Sequence, residues 1–585
     1  MATDRQRRTE PQAMSGGLAT VEALQVEGVR HVFGLIGSAA MELFDGLHDA
    51  DDITYIGVHD ERTGTHMADG YARASGRAGV VLAGQNGPGA TNLVTGVAQA
   101  AAAFSPVVSL AGALATGHVY RDAFQEVDQD ALFRPITKRT WTVPSTERIP
   151  EMIREAFRVA LSPQRGPVHL NLPRDVLAGT ANFDPPWDPA AARVVDLPAG
   201  ADGPVQRAAA LLTTAERPVI VAGAGIKNGG RFAEVIDLAE KLDAPIATSP
   251  GHGDAIPADH RLCAGQMGPR GNPVASRLVC EADVILALGT RLGFNSTFYS
   301  WDNVNRDAAI IQVEVEPTAI GRFFPVEVGI HGDAPTVAGQ LAGQLAAALA
   351  PGRGDGTTDA KWARTFAADR AAHRVRREEQ ASGAYPIQPS GLFRELRAVL
   401  PRNAMITLDA GTLCLQATDA LDHFEPPCLF SPLDFGLVGF SFACGLGVKL
   451  ARPDRPVISL MGDGGFGMTL SELSTAVSHD IPTVTVVMDN GCWGAEKAYQ
   501  RDFFDGRYIG ADVHSPPFDR VAELYGAVGL RAERIDEVGE AVRAGLESGR
   551  PAVVVVEVDG DALYSFRRDS FAHRTPTDPN SEKLS

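Results

Sequence analysis

Cysteine is scarce in this 585-residue chain. There are six, Cys263, Cys280, Cys414, Cys428, Cys444 and Cys492, and no two stand as CxxC. That spacing signals neither a zinc ribbon nor a disulfide framework, so a reduced, cytoplasmic protein is expected. Long apolar runs are also missing. No stretch reaches the roughly 20 residues that a membrane-spanning helix needs, which removes the membrane as an expected partner. Positive charge is in short supply, with 53 Lys plus Arg against 72 Asp plus Glu and a formal net charge of −19. Such an acidic surface argues against nucleic acid as a partner, while a local basic pocket for a small anion stays compatible with it. Residues 1–17 are polar and Arg-rich and lack the apolar centre of a secretory signal; they read as a tail, or as a stretch preceding a true start at Met14. No short-period repeat is present.

What the chain does contain is ordinary for globular proteins, 44% hydrophobic and 21% charged residues. Its length exceeds one hydrophobic core and calls for two to four domains. Short apolar runs alternate with Ala-rich helical stretches. The runs include Ala78–Ala83, Val107–Ala111, Pro218–Ala222, Val284–Leu288, Ile310–Val315, Ala404–Leu408, Val457–Leu460, Thr483–Met488 and Ala552–Val556. Continuous apolar runs of this length between helices predict buried parallel strands and an α/β class. Two breaks interrupt the pattern: Phe183–Gly203, rich in Pro, Ala and Asp, and Pro351–Asp359, rich in Gly, Thr and Asp and followed by a charged helical stretch, Lys361–Gln380. Three doubly wound parallel-sheet domains are therefore expected, at about 15–185, 200–350 and 385–585.

The strongest chemical signal lies in the third of these. The strand Val457–Leu460 runs into Met461-Gly462-Asp463-Gly464-Gly465-Phe466-Gly467, then the helical segment Ser471–Ser478, then the strand Thr483–Met488, which ends in Asp489-Asn490-Gly491. Two parallel strands thus deliver Asp463 and Asn490 to one carboxyl edge, where ligands of open α/β sheets bind. Side-chain oxygens, a backbone carbonyl and phosphate oxygens form a set that Mg²⁺ accepts, and glycines let backbone N–H groups approach phosphate. Asp-Gly and Asn-Gly are also common turn pairs, so either alone would say little. Both, each closing a buried strand, favour a site.

This pair resembles the signature of thiamine diphosphate enzymes, in which the Asp, the second Asn and a main-chain carbonyl two residues on bind the metal. The resemblance assigns those roles to Asp463, Asn490 and Cys492, with Asp489 standing where many members have Asn. The first domain adds His59-Asp60-Glu61, Met67-Ala68-Asp69-Gly70-Tyr71-Ala72-Arg73 and Gly84-Gln85-Asn86-Gly87-Pro88-Gly89-Ala90-Thr91-Asn92. An isolated Glu at a helix start would merely complement the helix dipole. The whole block, however, resembles the pyrimidine-binding domain of the acetohydroxyacid synthase-like branch. There the Glu six residues before the Met is catalytic, which is Glu61; Asp60 splits the usual His-Glu pair, so no role is taken for His59. Gly166–Asp175 and Ala282–Arg291 match the branch further, the latter in its Rossmann-like central domain. Gly436-Leu437-Val438-Gly439-Phe440 resembles the segment that grips the aminopyrimidine ring, with Val438 propping the bent cofactor and the Gly436 carbonyl accepting from the ring's amino group. The cofactor contacts so implied are Gly436, Val438, Asp463, Gly464, Gly465 and Asn490.

Within the branch, Phe124–Gln129, Trp493-Gly494-Ala495-Glu496-Lys497 and Phe566-Arg567-Arg568-Asp569 resemble the sulfoacetaldehyde acetyltransferase group. The resemblance implies cleavage of sulfoacetaldehyde with phosphate to acetyl phosphate and sulfite. The cofactors would be thiamine diphosphate and Mg²⁺, the partner a small anionic aldehyde or 2-oxo acid together with phosphate, and the assembly a homodimer or homotetramer with shared sites. Glu61 would be catalytic. Gln125 and, more remotely, Lys138 match positions near the reacting carbon. Arg567 and Arg568 are candidates for the anionic groups, since guanidinium pairs oxyanions in a fork; a solvated surface pair is the plain alternative. Competing readings are an acetolactate synthase-like carboligase or 2-oxo acid decarboxylase, a non-catalytic protein that keeps the fold, and a flavin or nucleotide protein built on Val221-Ala222-Gly223-Ala224-Gly225-Ile226, which lacks full GxGxxG spacing. The Ala-rich segments Val97–Ala103 and Ser441–Leu450 read either as interface or as core helices.

Overall fold

A computed structural model describes residues 8–193, 196–269, 271–348, 361–381 and 385–563. The expected break at 351–359 and the Arg567-Arg568 pair lie outside these residues. Three six-stranded parallel sheets are present. The first contains β1 (His31–Leu35), β2 (Thr54–Gly57), β3 (Gly79–Ala83), β4 (Val107–Ala113), β5 (Arg139–Thr142) and β6 (Val168–Pro173), in the order β2-β1-β3-β4-β6-β5. The second contains β7 (Pro218–Ala222), β8 (Ile246–Thr248), β9 (Cys263–Gln266), β10 (Val284–Leu288), β11 (Ala309–Glu314) and β12 (Val328–His331), in the order β9-β8-β7-β10-β11-β12. The third contains β13 (Met405–Leu408), β14 (Leu429–Phe430), β15 (Val457–Gly462), β16 (Val484–Asp489), β17 (Val528–Ala532) and β18 (Ala552–Glu557), in the order β14-β13-β15-β16-β18-β17.

The first and third sheets share one strand order, a kinship that the sequence alone does not display. The second has the doubly wound order of dinucleotide-binding sheets. Its Gly223 and Gly225 are explained by packing, because a Cβ at either would come within 2.5–2.7 Å of Gly289. The central strands are buried along their length, Val-rich as parallel strands covered on both faces must be.

The helices flanking the functional segments are α1 (Glu61–Ser75), α2 (Gly87–Ala102), α3 (Ile149–Leu161), α4 (Lys361–Gln380), α5 (Ser441–Ala451), α6 (Asp463–Gly467), α7 (Glu472–Ser478) and α8 (Gly494–Phe503). The chain forms two compact units. Among the described residues, one comprises those within 1–196, 443–453 and 471–481; the other comprises those within 197–442, 454–470 and 482–585. Most of α5 and all of α7, although late in the chain, fold with the first sheet. Small residues make this possible. A Cβ on Gly70 of α1 would lie 2.3 Å from the Cys444 carbonyl oxygen, and one on Gly447 would lie 1.9 Å from that of Met67. Val97 and Ala100 in α2 are fully buried as well. For these two Ala-rich segments the chain itself supplies the covering surface.

The chain leaves the first unit through the expected break near Phe183–Gly203; Pro198 and Gly200 already belong to the second, where the Pro198 carbonyl accepts from Asp333 N–H and Gly200 N–H donates to Gln340. The five cysteines whose side chains are described are all free. No described helix is long and apolar enough to cross a membrane.

Candidate active site

In the first unit, strand order reverses between β1 and β3, and a sheet opens for ligands at such a switch point. The loops leaving these strands press together there: a Cβ on Gly37 would lie 2.4 Å from the Gly84 carbonyl carbon. Glu61 opens α1 beside them. Asp60, which interrupts the motif in sequence, is the N-cap, its carboxylate accepting from Arg62 N–H at 2.8 Å. The insertion thus starts the helix one residue before Glu61 and leaves Glu61 pointing inward, only 3% exposed. Its Oε2 accepts from Asn92 Nδ2 at 3.0 Å, and Gly89 leaves room at Oε1, where a Cβ would approach to 3.1 Å. Burial raises the Glu61 carboxyl above its ordinary range, while the Asn92 hydrogen bond pulls it partly back.

The corner that carries Glu61 is fastened by a residue absent from the sequence reading. Glu472 of α7, wholly buried, accepts from Thr63 Oγ1 at 2.7 Å, from Thr475 Oγ1 at 2.7 Å and from His59 N–H at 3.1 Å. His59 contributes here through its backbone. Gln125 reaches the same neighbourhood from the loop after β4: its carbonyl accepts from Asn86 Nδ2 at 2.8 Å, and Gly87 must lack a Cβ because one would lie 2.6 Å from that oxygen. One segment, Gly84–Asn92, therefore holds both Glu61 and Gln125. Lys138 is elsewhere engaged. Its ammonium donates to the Val159 and Ser162 carbonyls and to Ser162 Oγ at the end of α3, where a cation complements the helix dipole.

In the second unit, the corresponding reversal lies between β13 and β15. Asp463, 1% exposed, begins α6 at the end of β15, and Asn490 follows β16, which runs parallel to β15. One terminal atom of the Asn490 amide lies 3.0 Å from the Cys492 carbonyl oxygen and 3.3 Å from Asp463 Oδ1. With the amide oxygen turned inward, three oxygens converge, which suits a hard cation; with the nitrogen inward, the amide bridges the other two. No three His, Cys, Asp or Glu side chains cluster as metal ligands among the described residues, so the donor set here is one carboxylate, one amide and one carbonyl. Burial raises the Asp463 carboxyl, Ser515 Oγ donates to it at 2.8 Å and opposes the rise, and Asp489 adds to it. The Cys492 thiol is pushed up to about 11 by burial, leaving its carbonyl as the usable donor.

The glycines of the motif have packing reasons as well as the expected freedom of approach. A Cβ on Gly464 would strike the Trp493 ring at 2.7 Å, and one on Gly465 would lie 2.3 Å from Asp409 Oδ2 and 3.4 Å from Val438 Cγ1. Asp409, immediately after β13, is the second residue missed. It is 1% exposed, its carboxylate accepts from Gly439 N–H at 3.0 Å and Phe440 N–H at 2.8 Å, and burial pushes its pKa up to about 6. It thereby ties the 436–440 segment to the GDGG turn and sets Val438 beside Gly465. Gly436 is left-handed, at φ +78°. The available signal was the pattern itself: Asp409 ends an apolar strand just as Asp463 does. Of the WGAEK stretch, Trp493 backs Gly464, and Lys497 pairs with Asp512 at 2.8 Å.

With this geometry established, similarity to known proteins fixes the class. The chain matches the family models for the thiamine pyrophosphate enzyme N-terminal TPP binding domain at 14–132, central domain at 205–341 and C-terminal TPP binding domain at 409–556. It belongs to the thiamine pyrophosphate enzyme family. More particularly, it is 36% identical to a sulfoacetaldehyde acetyltransferase of Alcaligenes xylosoxydans xylosoxydans, with 98% of each chain covered. It is 34% identical to one of Castellaniella defragrans, with 96% of each covered. It is also 35% identical to a probable acetolactate synthase large subunit of Methanocaldococcus jannaschii, covering 93% of this chain and 92% of that one.

One consequence concerns Asn92. Its hydrogen bond favours the ionised form of Glu61, so in Asn92→Ala the carboxyl titrates at still higher pH. The alkaline limb of the kcat/KM profile is expected to move upward in pH; a profile that stays in place would separate Glu61 from the titration that controls rate.

Proposed function

We propose that the chain uses thiamine diphosphate and Mg²⁺ to cleave sulfoacetaldehyde with phosphate, giving acetyl phosphate and sulfite. The observation that carries this reading is the cluster of Asp463, Asn490 and the Cys492 carbonyl, supported by the buried, Asn92-held Glu61. The net reaction needs no outside oxidant. The C–S bond breaks with sulfite leaving, a C–O bond to phosphate forms at the former aldehyde carbon, and one hydrogen in net passes from that carbon to the methyl group.

When bound, thiamine diphosphate supplies a nucleophilic carbon and an adjacent electron sink. The protein's own groups do the rest. Asp463, Asn490 and the Cys492 carbonyl would hold Mg²⁺, and the backbone N–H groups of Gly464 and Gly465 would serve the diphosphate. Val438 would support the cofactor, and the Gly436 carbonyl would accept from its amino group. Glu61 would share a proton with the pyrimidine N1′; a carboxyl group raised by burial keeps that proton near neutral pH better than an exposed one. Gln125 attends the reacting carbon. The assembly is a homodimer or homotetramer in the cytoplasm.

Arg567 and Arg568 serve the sulfonate or the phosphate. Arg567→Ala or Arg568→Ala is expected to raise KM for one of these anions several-fold, about what a lost charge-assisted pair is worth, with kcat less affected. Unchanged KM values for both would leave them as surface residues. The relative named as an acetolactate synthase favours a second reading, carboligation or decarboxylation of a 2-oxo acid. Purified enzyme offered sulfoacetaldehyde and pyruvate in parallel decides between them: sulfite release supports the first reading, and CO₂ release without sulfite supports the second.

A further inference from the structure

The loop that follows β4 is bent more sharply than its sequence suggests. Three of its residues, none of them glycine, adopt left-handed backbone angles: Tyr120 at φ +64°, Asp122 at +53° and Gln125 at +62°. Such angles are uncommon for L residues and persist only where neighbouring contacts enforce them. The enforcing group is Glu126. Its Oε1 accepts from Tyr120 N–H at 2.6 Å and its Oε2 from Ala123 N–H at 2.9 Å, while its own N–H donates to the Ala123 carbonyl at 3.0 Å. These N–H groups hold the carboxyl below its ordinary range. From the outside, Asn86 grips the Phe124 and Gln125 carbonyls at 3.4 and 2.8 Å. Tyr120 and Phe124 stand 96% and 84% exposed, so apolar packing of their rings does not shape the loop.

We infer that Glu126 is a positioning residue: its carboxylate folds residues 120–126 around itself and so aims Gln125 at the reacting carbon. The inference rests on the role given to Gln125 above. Because each N–H is served by a different oxygen, the arrangement calls for two acceptor oxygens and no donor. The isostere Gln must turn an NH₂ toward one of them. The bend then relaxes, and Gln125, adjacent in sequence, loses its direction. Because Glu126 lies near the surface and packs no core, the loss falls on the reaction and spares the fold. Misplacement of a reacting group by an ångström is a tenfold-or-greater effect.

The test is a double-mutant cycle with Glu126→Gln, Gln125→Ala and the combined variant, assayed on sulfoacetaldehyde and phosphate at saturating cofactor. Glu126→Gln is expected to keep the melting temperature and cofactor affinity of the parent while kcat/KM falls about tenfold, mostly in kcat. In the Gln125→Ala background the same change is expected to cost less than about twofold, since there is no longer a side chain to aim. Glu126→Gln with parental turnover, or with the same tenfold loss in both backgrounds, overturns the inference while leaving Gln125 in its role. Gln125→Ala with parental turnover removes that role, and the inference with it.

Discussion

Glu61→Gln is expected to fold, bind cofactor and turn over about 10²–10⁴-fold more slowly than the parent, the range for loss of one acid–base group. The surroundings explain why the damage should be confined to chemistry. The glutamine oxygen can still accept from Asn92 Nδ2, and Gly89 leaves space for the amide nitrogen, because the gap at Oε1 is set by a missing Cβ. The N-cap bond from Arg62 N–H to Asp60 is untouched, so α1 begins where it did. What disappears is a proton that can be shared. Burial already raises the carboxyl above its ordinary range, so the protonated form extends to higher pH than for an exposed glutamate and declines as pH rises through the raised value. The glutamine variant should therefore lose the pH dependence contributed by this group as well as the rate. Steady-state kinetics across pH, with cofactor binding measured separately, gives both numbers. Near-parental turnover would mean that the proton resides on another group.

Asp463→Ala is expected to weaken metal-dependent cofactor binding by more than about 100-fold, since even residues behind the metal ligands typically account for 10–100-fold. Asp463 supplies the only carboxylate among the three converging oxygens, and Asn490 and Cys492 contribute dipoles alone. The apo protein should not suffer. Asp463 is a buried carboxylate whose titration is raised by burial and by Asp489, so its removal relieves repulsion at the cost of its hydrogen bonds from Ser515 Oγ, neighbouring backbone N–H groups and, with the amide nitrogen inward, Asn490. Thermal melting separates the two effects. A ligand at 100 times its Kd adds about 2.7 kcal/mol to stability. The parent should show that rise with thiamine diphosphate and Mg²⁺, and the variant should melt like its own apo form with or without them. An equal rise in both would displace the metal site from this cluster.

Much of the candidate site was legible in the chain because its polar residues sit where buried strands end. The runs at Val457–Leu460 and Thr483–Met488 become β15 and β16, and the polar residues that follow them, Asp463 and Asn490, stand at one carboxyl edge. The helix predicted over Lys361–Gln380 is α4 with those same ends. What was not legible depends on contacts between residues far apart in the chain. Nothing in the sequence singles out Glu472, and only folding of α7 against the β2–α1 corner gives its carboxylate Thr63 and His59 as partners. Asp60 read as an interruption, and its worth as an N-cap depends on where α1 begins. Gly464 read as room for a phosphate, yet the Trp493 ring also requires it. Lys138 matched by position alone, and its long flexible side chain follows the nearest carbonyls.

The most direct test of the proposed reaction supplies isotopically labelled phosphate with unlabelled sulfoacetaldehyde to the enzyme carrying thiamine diphosphate and Mg²⁺. The account requires label in acetyl phosphate, sulfite in equal amount, and neither product when phosphate or cofactor is left out. Sulfite without labelled acetyl phosphate would contradict transfer to phosphate, and the absence of both, with CO₂ released from pyruvate under the same conditions, would contradict the account as a whole.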